Sequence, residues 1–195
     1  MNLGNITIAA LWLGGVQAKS AYIGSEQVWS GEEPGPTVEP LCFTAEEANS
    51  ILHLDKISNP DAISLETSTD GSTWTDYAWS NKTGDTLTLA NVGDKVYMRA
   101  KGENSTISKN YNNYYRFSMT GKIAASGNIQ TLLNANGSRT DIPNACYAFM
   151  FSGCSSLTTA PALPATTLAD YSYNGMFDSC TSLTQAPVIS AMTLG

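Results

Sequence analysis

Residues 147–169, YAFMFSGCSSLTTAPALPATTLA, can be laid over residues 173–195, YNGMFDSCTSLTQAPVISAMTLG, without a gap. Tyr147 falls on Tyr173, Met150-Phe151 on Met176-Phe177, Cys154 on Cys180 and Ser156-Leu157-Thr158 on Ser182-Leu183-Thr184. Ala160-Pro161 falls on Ala186-Pro187 and Thr167-Leu168 on Thr193-Leu194, so every pair is 26 residues apart. A repeat of this size describes a chain that coils back on itself once per period, giving a short strand and an irregular return in each coil. Phe151, Cys154, Leu157, Leu163 and Leu168 are expected to point into the stack, with Phe177, Cys180, Leu183, Ile189 and Leu194 one coil along. Cys154 and Cys180 then form an inward ladder of small apolar side chains. A disulfide between the coils is the other reading of the pair, in an oxidising setting.

The two blocks share the pattern M-F-x-x-C-x-S-L-T-x-A-P, which resembles the BspA-like leucine-rich repeat family of bacterial surface proteins and some phage proteins. The segment Gly121 to Leu133 is similar to the lead-in that precedes the first repeat in that family, and Asn128 is suited to cap a short helix through Leu133. The resemblance implies a leucine-rich-repeat solenoid fragment and a role in recognition or adhesion; it brings no catalytic residues with it. Two coils are fewer than the three or so such a stack needs. The preceding module is expected to cover one end, and another subunit or further sequence the other.

Working outward, residues 41–120 read as a small antiparallel β-sandwich of immunoglobulin or fibronectin type III kind. Ala62 to Ser68 alternates apolar and polar residues, Asp70-Gly71 marks a hairpin turn, and Ser72 to Tyr77 returns. Thr86–Leu89 and Lys95–Ala100 are two further strands around the turn Asn91-Val92-Gly93-Asp94. The run Ser-Thr-Asp-Gly-Ser-Thr-Trp is similar to that of Ig-like modules that accompany surface repeats in gut bacteria and their phages, including those of Bacteroides type. Residues 121–146 form the lead-in and residues 147–195 the two repeats. Trp79, Tyr111 and Tyr114 are candidates for stacking on sugar rings, against the alternative that such aromatics fill the core and edges of a sandwich. Asp70, Asp76 and Asp85 fit turns, since their order does not reproduce a calcium loop.

Residues 32–40 contain Glu32-Glu33-Pro34-Gly35-Pro36 and Pro40, a composition that disfavours helix and sheet interior and marks a linker. Before it, residues 2–11, 12–21 and 22–31 repeat every ten residues, with Leu3-Gly4, Leu13-Gly14 and Ile23-Gly24 in register. Short strands around glycine turns fit this unit. Its apolar residues Leu11, Trp12, Leu13, Tyr22, Ile23, Val28 and Trp29 form a candidate docking patch that three such small units cannot bury alone. Tyr22-Ile23-Gly24-Ser25-Glu26-Gln27-Val28-Trp29 resembles the Tyr-Ile-Gly-x-x-x-Val-Trp segments at the start of many phage tail, baseplate and fibre proteins. A cleaved secretion signal is the competing reading of residues 6–18, although no Lys or Arg precedes Lys19.

Composition narrows the function classes. Lys and Arg total 10 against 17 Asp and Glu, a net charge of −7, so nucleic acid is not an expected partner. No apolar run is long enough to span a membrane, so no insertion is expected. The single histidine, His53, alternates with Leu52 and Leu54 and reads as an exposed strand residue. With one imidazole and four scattered cysteines, Cys42, Cys146, Cys154 and Cys180, no catalytic residues, metal site or cofactor are expected. The whole chain reads as mainly β, and as a non-enzymatic structural or recognition subunit of a bacteriophage virion, a head or tail fibre-like appendage at the virion surface. Its expected partners are other virion proteins, copies of itself in a trimer, and a host-surface glycan. The alternative is a secreted or cell-surface BspA-like bacterial adhesin.

Overall fold

Alternating burial builds the longest strands: Leu52 and Leu54 are buried and His53 half-buried along Ser50–Ile57, and Val96, Met98 and Ala100 are buried along Lys95–Ala100. The computed structural model describes residues 38–194 and, between residues 12 and 30, the backbone of four short strands. The chain is mainly β and divides into two compact units at Thr37/Val38, within the segment expected to be a linker. In unit 1, β1 (Trp12–Leu13) pairs antiparallel with β2 (Val16–Gln17), and β3 (Ser20–Ile23) with β4 (Glu26–Ser30). The dipeptides Gly14-Gly15 and Gly24-Ser25 fall between the paired strands. Leu11 and the docking side chains carried on these strands lie outside the described residues.

Unit 2 contains β5 (Leu41–Ala45), β6 (Ser50–Ile57), β7 (Leu65–Ser68), β8 (Thr75–Asp76), β9 (Trp79–Ser80), β10 (Thr83–Gly84), β11 (Leu87–Leu89), β12 (Lys95–Ala100), β13 (Tyr114–Thr120) and β14 (Ile123–Ser126). A 3₁₀ turn (Ile129–Leu132) then leads to β15 (Asp141–Ile142), β16 (Leu157–Thr159), β17 (Thr167–Leu168) and β18 (Thr193–Leu194). Asn128 caps the 3₁₀ turn by accepting the Gln130 N–H at 2.7 Å. One sheet has the order β16-β14-β5-β12-β7-β8; in the other, β13 pairs with one edge of β6 while β10 and β11 pair along its opposite edge. Between the sheets, Phe43, Leu52, Leu54, Met98, Tyr115 and Phe117 belong to one buried core. Tyr77 ties the second sheet together: its hydroxyl accepts the Leu54 N–H and donates to the Asp85 carbonyl, both at 2.9 Å. Gly84 sits where this ring passes, and a Cβ there would collide with the Tyr77 side chain.

Beyond the sheets, two turns of chain stack in register. β15, β17 and β18 form a parallel ladder in which Asp141, Thr167 and Thr193 are partners, each 26 residues after the last. Even the left-handed backbone positions recur at that interval: Ala145 and Tyr171, Phe149 and Gly175, Gly153 and Ser179 all have positive φ, whatever the side chain. Between the coils, the N–H groups of residues 145, 147, 149, 151 and 153 donate to the carbonyls of 170, 172, 174, 176 and 178. Those of residues 146, 148, 150, 152 and 154 bond locally, three residues back. This division satisfies the polar backbone of a turn that is neither helix nor strand.

The coils grow directly out of the two-sheet part. β16 pairs parallel with β14, extending the first sheet into coil one. The N–H groups of Ser108, Phe117 and Ile123 donate to Cys146, Met150 and Ser156, as each coil does to the next. Phe117, Phe151 and Phe177 stack at 5.0 and 5.4 Å between centroids, and Phe43 packs edge-on against Phe117 at 4.9 Å.

Candidate interaction surfaces

Chemistry that needs a nucleophile and a base finds one near-match on the outer face of β6 and β13. Ser118 lies opposite His53 in the strand register, and His53 Nε2 is 3.4 Å from Asp55 Oδ2. That imidazole nitrogen faces the carboxylate, and no hydrogen bond joins His53 to Ser118, so the nucleophile-to-base contact of a Ser-His-Asp arrangement is not made. Ser118 was not singled out in the sequence because cross-strand register is invisible there. Among the described residues no three His, Cys, Asp or Glu side chains gather as metal ligands. Asp70 accepts the Ser72 and Thr73 N–H groups and the Ser68 hydroxyl, which hold its carboxyl well below the usual range; Asp76 pairs with Lys101 and Asp85 accepts the Ala78 N–H.

The four cysteines are free thiols, three of them buried. The Cys154 thiol donates to the Phe117 carbonyl at 3.1 Å, and the Cys180 thiol repeats the contact with Phe151 at 3.0 Å. Burial pushes Cys154 up to about 12, and Cys146 and Cys180 to about 11. Since the thiolate is the reactive form, burial holds Cys146 and Cys154 in the unreactive thiol, while Cys180 is only partly covered. We expect iodoacetamide at pH 8 to spare Cys42, Cys146 and Cys154 in native protein and to modify all four on unfolding, read by intact mass. A raised thiol pKa adds stability below the unfolded value of about 8.5 that is lost as pH climbs through the folded value, so the thermal midpoint should fall above about pH 9.

The aromatic candidates do not share one platform. Trp79 is partly buried, packs against Tyr77 and Tyr115 at 5.3 and 5.2 Å, and is capped by Lys56 Nζ at 4.4 Å. Tyr114, half-buried on the other face of β13 from Tyr115, meets Phe149 at 5.1 Å. Tyr111 is 56% exposed and lies 6.1 Å from the ring of Tyr171, itself 60% exposed. Tyr171 was missed in the sequence because its counterpart 26 residues earlier is Ala145. Two adjoining clefts of about 410 and 320 Å³ also open beside β11, lined by threonines such as Thr69, Thr75, Thr86 and Thr88, by Leu87 and Val96, and in the larger by the charged Asp94 and Lys95.

The repeat-core residues separate by coil. Phe151, Cys154, Leu157 and Leu163 are at most 2% exposed, whereas Phe177, Cys180 and Leu183 are only partly buried and Ile189 is 53% exposed. Ile189 is therefore not an inward residue in this structure: Leu163 is covered by the coil that follows it, and among the described residues nothing follows Ile189 in that way. Leu168 packs partly buried against the core, and the side chain of Leu194 lies outside the described residues. No protein-family model, curated protein or solved structure matches the chain.

Proposed function

We propose that this chain is a non-enzymatic structural and recognition subunit of a bacteriophage virion, a head or tail fibre-like appendage. Residues 1–31 dock onto the particle, and unit 2 is displayed outward as an Ig-like module followed by a leucine-rich-repeat solenoid fragment. The observation that carries the display role is the unbroken packing of unit 2. A sheet that runs from β8 through β16, with Phe117, Phe151 and Phe177 stacked across the junction and Phe43 edge-on against the first, makes a stiff projection without a hinge between module and repeats. The polar outer surface adds the recognition role. Threonine-lined clefts and the exposed Tyr111–Tyr171 pair offer hydrogen bonds and ring faces to a host-surface glycan, and a homotrimer multiplies such weak contacts.

The docking role rests on the glycine-centred tens and on the antiparallel pairing of β1 with β2 and of β3 with β4. Immunogold labelling of purified particles with antibody against residues 38–195 is expected to decorate the virion. Trp12→Ala combined with Trp29→Ala is expected to lower incorporation at least tenfold while leaving unit 2 folded by circular dichroism. Normal incorporation of that double variant would end the docking reading. Recovery of the protein in a cell-surface fraction with residues 1–18 removed would replace the virion with a secreted adhesin.

A further inference from the structure

Two exposed phenols meet on the side of unit 2. Tyr111 and Tyr171 are 56% and 60% exposed, and their ring centroids lie 6.1 Å apart at an interplanar angle of 52°, a separation at which aromatic rings are in contact. They come from distant parts of the chain, the turn before β13 and the start of coil two. Each stands on a fixed backbone. Asn110 Oδ1 accepts the Asn112 and Asn113 N–H groups, both at 2.9 Å, and so closes the turn that carries Tyr111. On either side of Tyr171 the Asp170 and Ser172 carbonyls accept the Ala145 and Tyr147 N–H groups of coil one, and the Tyr171 carbonyl accepts the Asn174 N–H at 3.0 Å. The other tyrosines of unit 2 are better covered. Tyr77, Tyr115 and Tyr147 are at most 4% exposed, and Tyr97, Tyr114 and Tyr173 are half-buried, the last stacked on Tyr147 at 5.9 Å.

We infer that Tyr111 and Tyr171 form a site of oxidative cross-linking, joined as dityrosine by hydrogen peroxide acting through a haem peroxidase. Each phenol gives one electron and its hydroxyl proton to the oxidant and becomes a phenoxyl radical. The two radicals couple through ring carbons ortho to oxygen, forming one C–C bond, and the hydrogen on each of those carbons moves as a proton to the oxygen of its own ring. The chain loses two hydrogens in all, and one peroxide is reduced to two waters. Access and proximity coincide at this pair. Tyr147 and Tyr173 lie as close, but Tyr147 is 0% exposed and out of an oxidant's reach. Held in one molecule, Tyr111 and Tyr171 meet at an effective concentration that a second copy in micromolar solution does not match. The bond closes a loop from residue 111 to residue 171 and fastens coil two to the turn before β13; a cross-link of that kind restricts the unfolded chain. The inference goes beyond the display and recognition roles proposed above and depends on neither a virion nor a glycan.

The test treats the intact chain, at low micromolar concentration, with a haem peroxidase and an equivalent of hydrogen peroxide. The expected product runs as a monomer on a denaturing gel, is lighter by two hydrogens, and shows the blue fluorescence of dityrosine. Peptide mapping should place the link between residues 111 and 171, and the thermal midpoint of the linked chain should rise. Tyr111→Phe and Tyr171→Phe are each expected to cut that fluorescence in the monomer at least tenfold with the circular dichroism unchanged, whereas Tyr97→Phe leaves it as it is. An unreacted chain, covalent dimers as the main product, or a link mapped to any other pair would overturn the inference. So would a full yield of linked monomer from either of the first two variants.

Discussion

Phe117→Ala is expected to lower the unfolding free energy of unit 2 by about 3–5 kcal/mol, the usual cost of deleting a fully buried aromatic ring. Phe117 is 1% exposed, meets Phe43 edge-on, and lies 5.0 Å from Phe151, so its ring touches both the sheets and the coils. Neighbouring carbonyls limit collapse into the space, because the Phe117 backbone is held by Met150 on one side and by the Cys154 thiol on the other. Against a typical total stability of about 5–15 kcal/mol the loss is large enough to see in guanidinium titration. Phe177→Ala, at the half-covered end of the same stack, should cost clearly less. Equal losses at the two positions would mean that the stack does not join module to repeats.

Gly127→Ala is expected to be comparably damaging for a different reason. Gly127 has φ +73°, and an added Cβ would collide with the Pro40 carbonyl, which is backbone and cannot rotate aside. Around it, Asn128 N–H donates to Glu39, Ala162 N–H donates to Gly127, and Asn128 bridges in parallel to both Pro40 and Ala162. The start of β5, the lead-in and coil one are thus held at a single rung. Relief of the clash has to open that rung, so we expect an unfolding midpoint lower by several degrees or insoluble expression. Gly93→Ala, at a position of positive φ with open space around it, isolates the cost of the backbone conformation alone. If the two substitutions cost the same in thermal unfolding, the close approach to Pro40 contributes nothing.

Local patterns in the sequence carried much of the fold. The strand Lys95–Ala100 was legible from alternation, the Asp70-Gly71 turn from its residue types, and the Asn128 cap from its position before an apolar run. The 26-residue register was legible because stacking repeats side-chain size as well as backbone, as Phe151 and Phe177 show. What could not be read was long-range partnership. β5 lies between β12 and β14, more than 45 residues away, and only the shared core face of Leu41 and Phe43 selects that place. The returning strand expected over residues 72–77 is reduced to Thr75–Asp76 because Asp70 draws the Ser72 and Thr73 N–H groups into the turn. Trp79 looked available as a binding ring because sequence cannot show that Lys56 and Tyr115 lie against it. Side-chain identity also failed to announce the left-handed positions, since Ala145 and Tyr171 share one conformation that the neighbouring layer imposes.

The fixed 26-residue register of the coils also constrains how such a gene can change. Duplicating or deleting a whole block of 26 codons keeps the amides between neighbouring coils opposite their oxygens, whereas a change of 25 or 27 would turn one row to face the wrong atoms and move a phenylalanine out of its column. Length in this part of the molecule is therefore heritable in fixed increments, and unequal recombination between the two blocks is a route by which related chains can acquire taller or shorter stacks without redesigning the base.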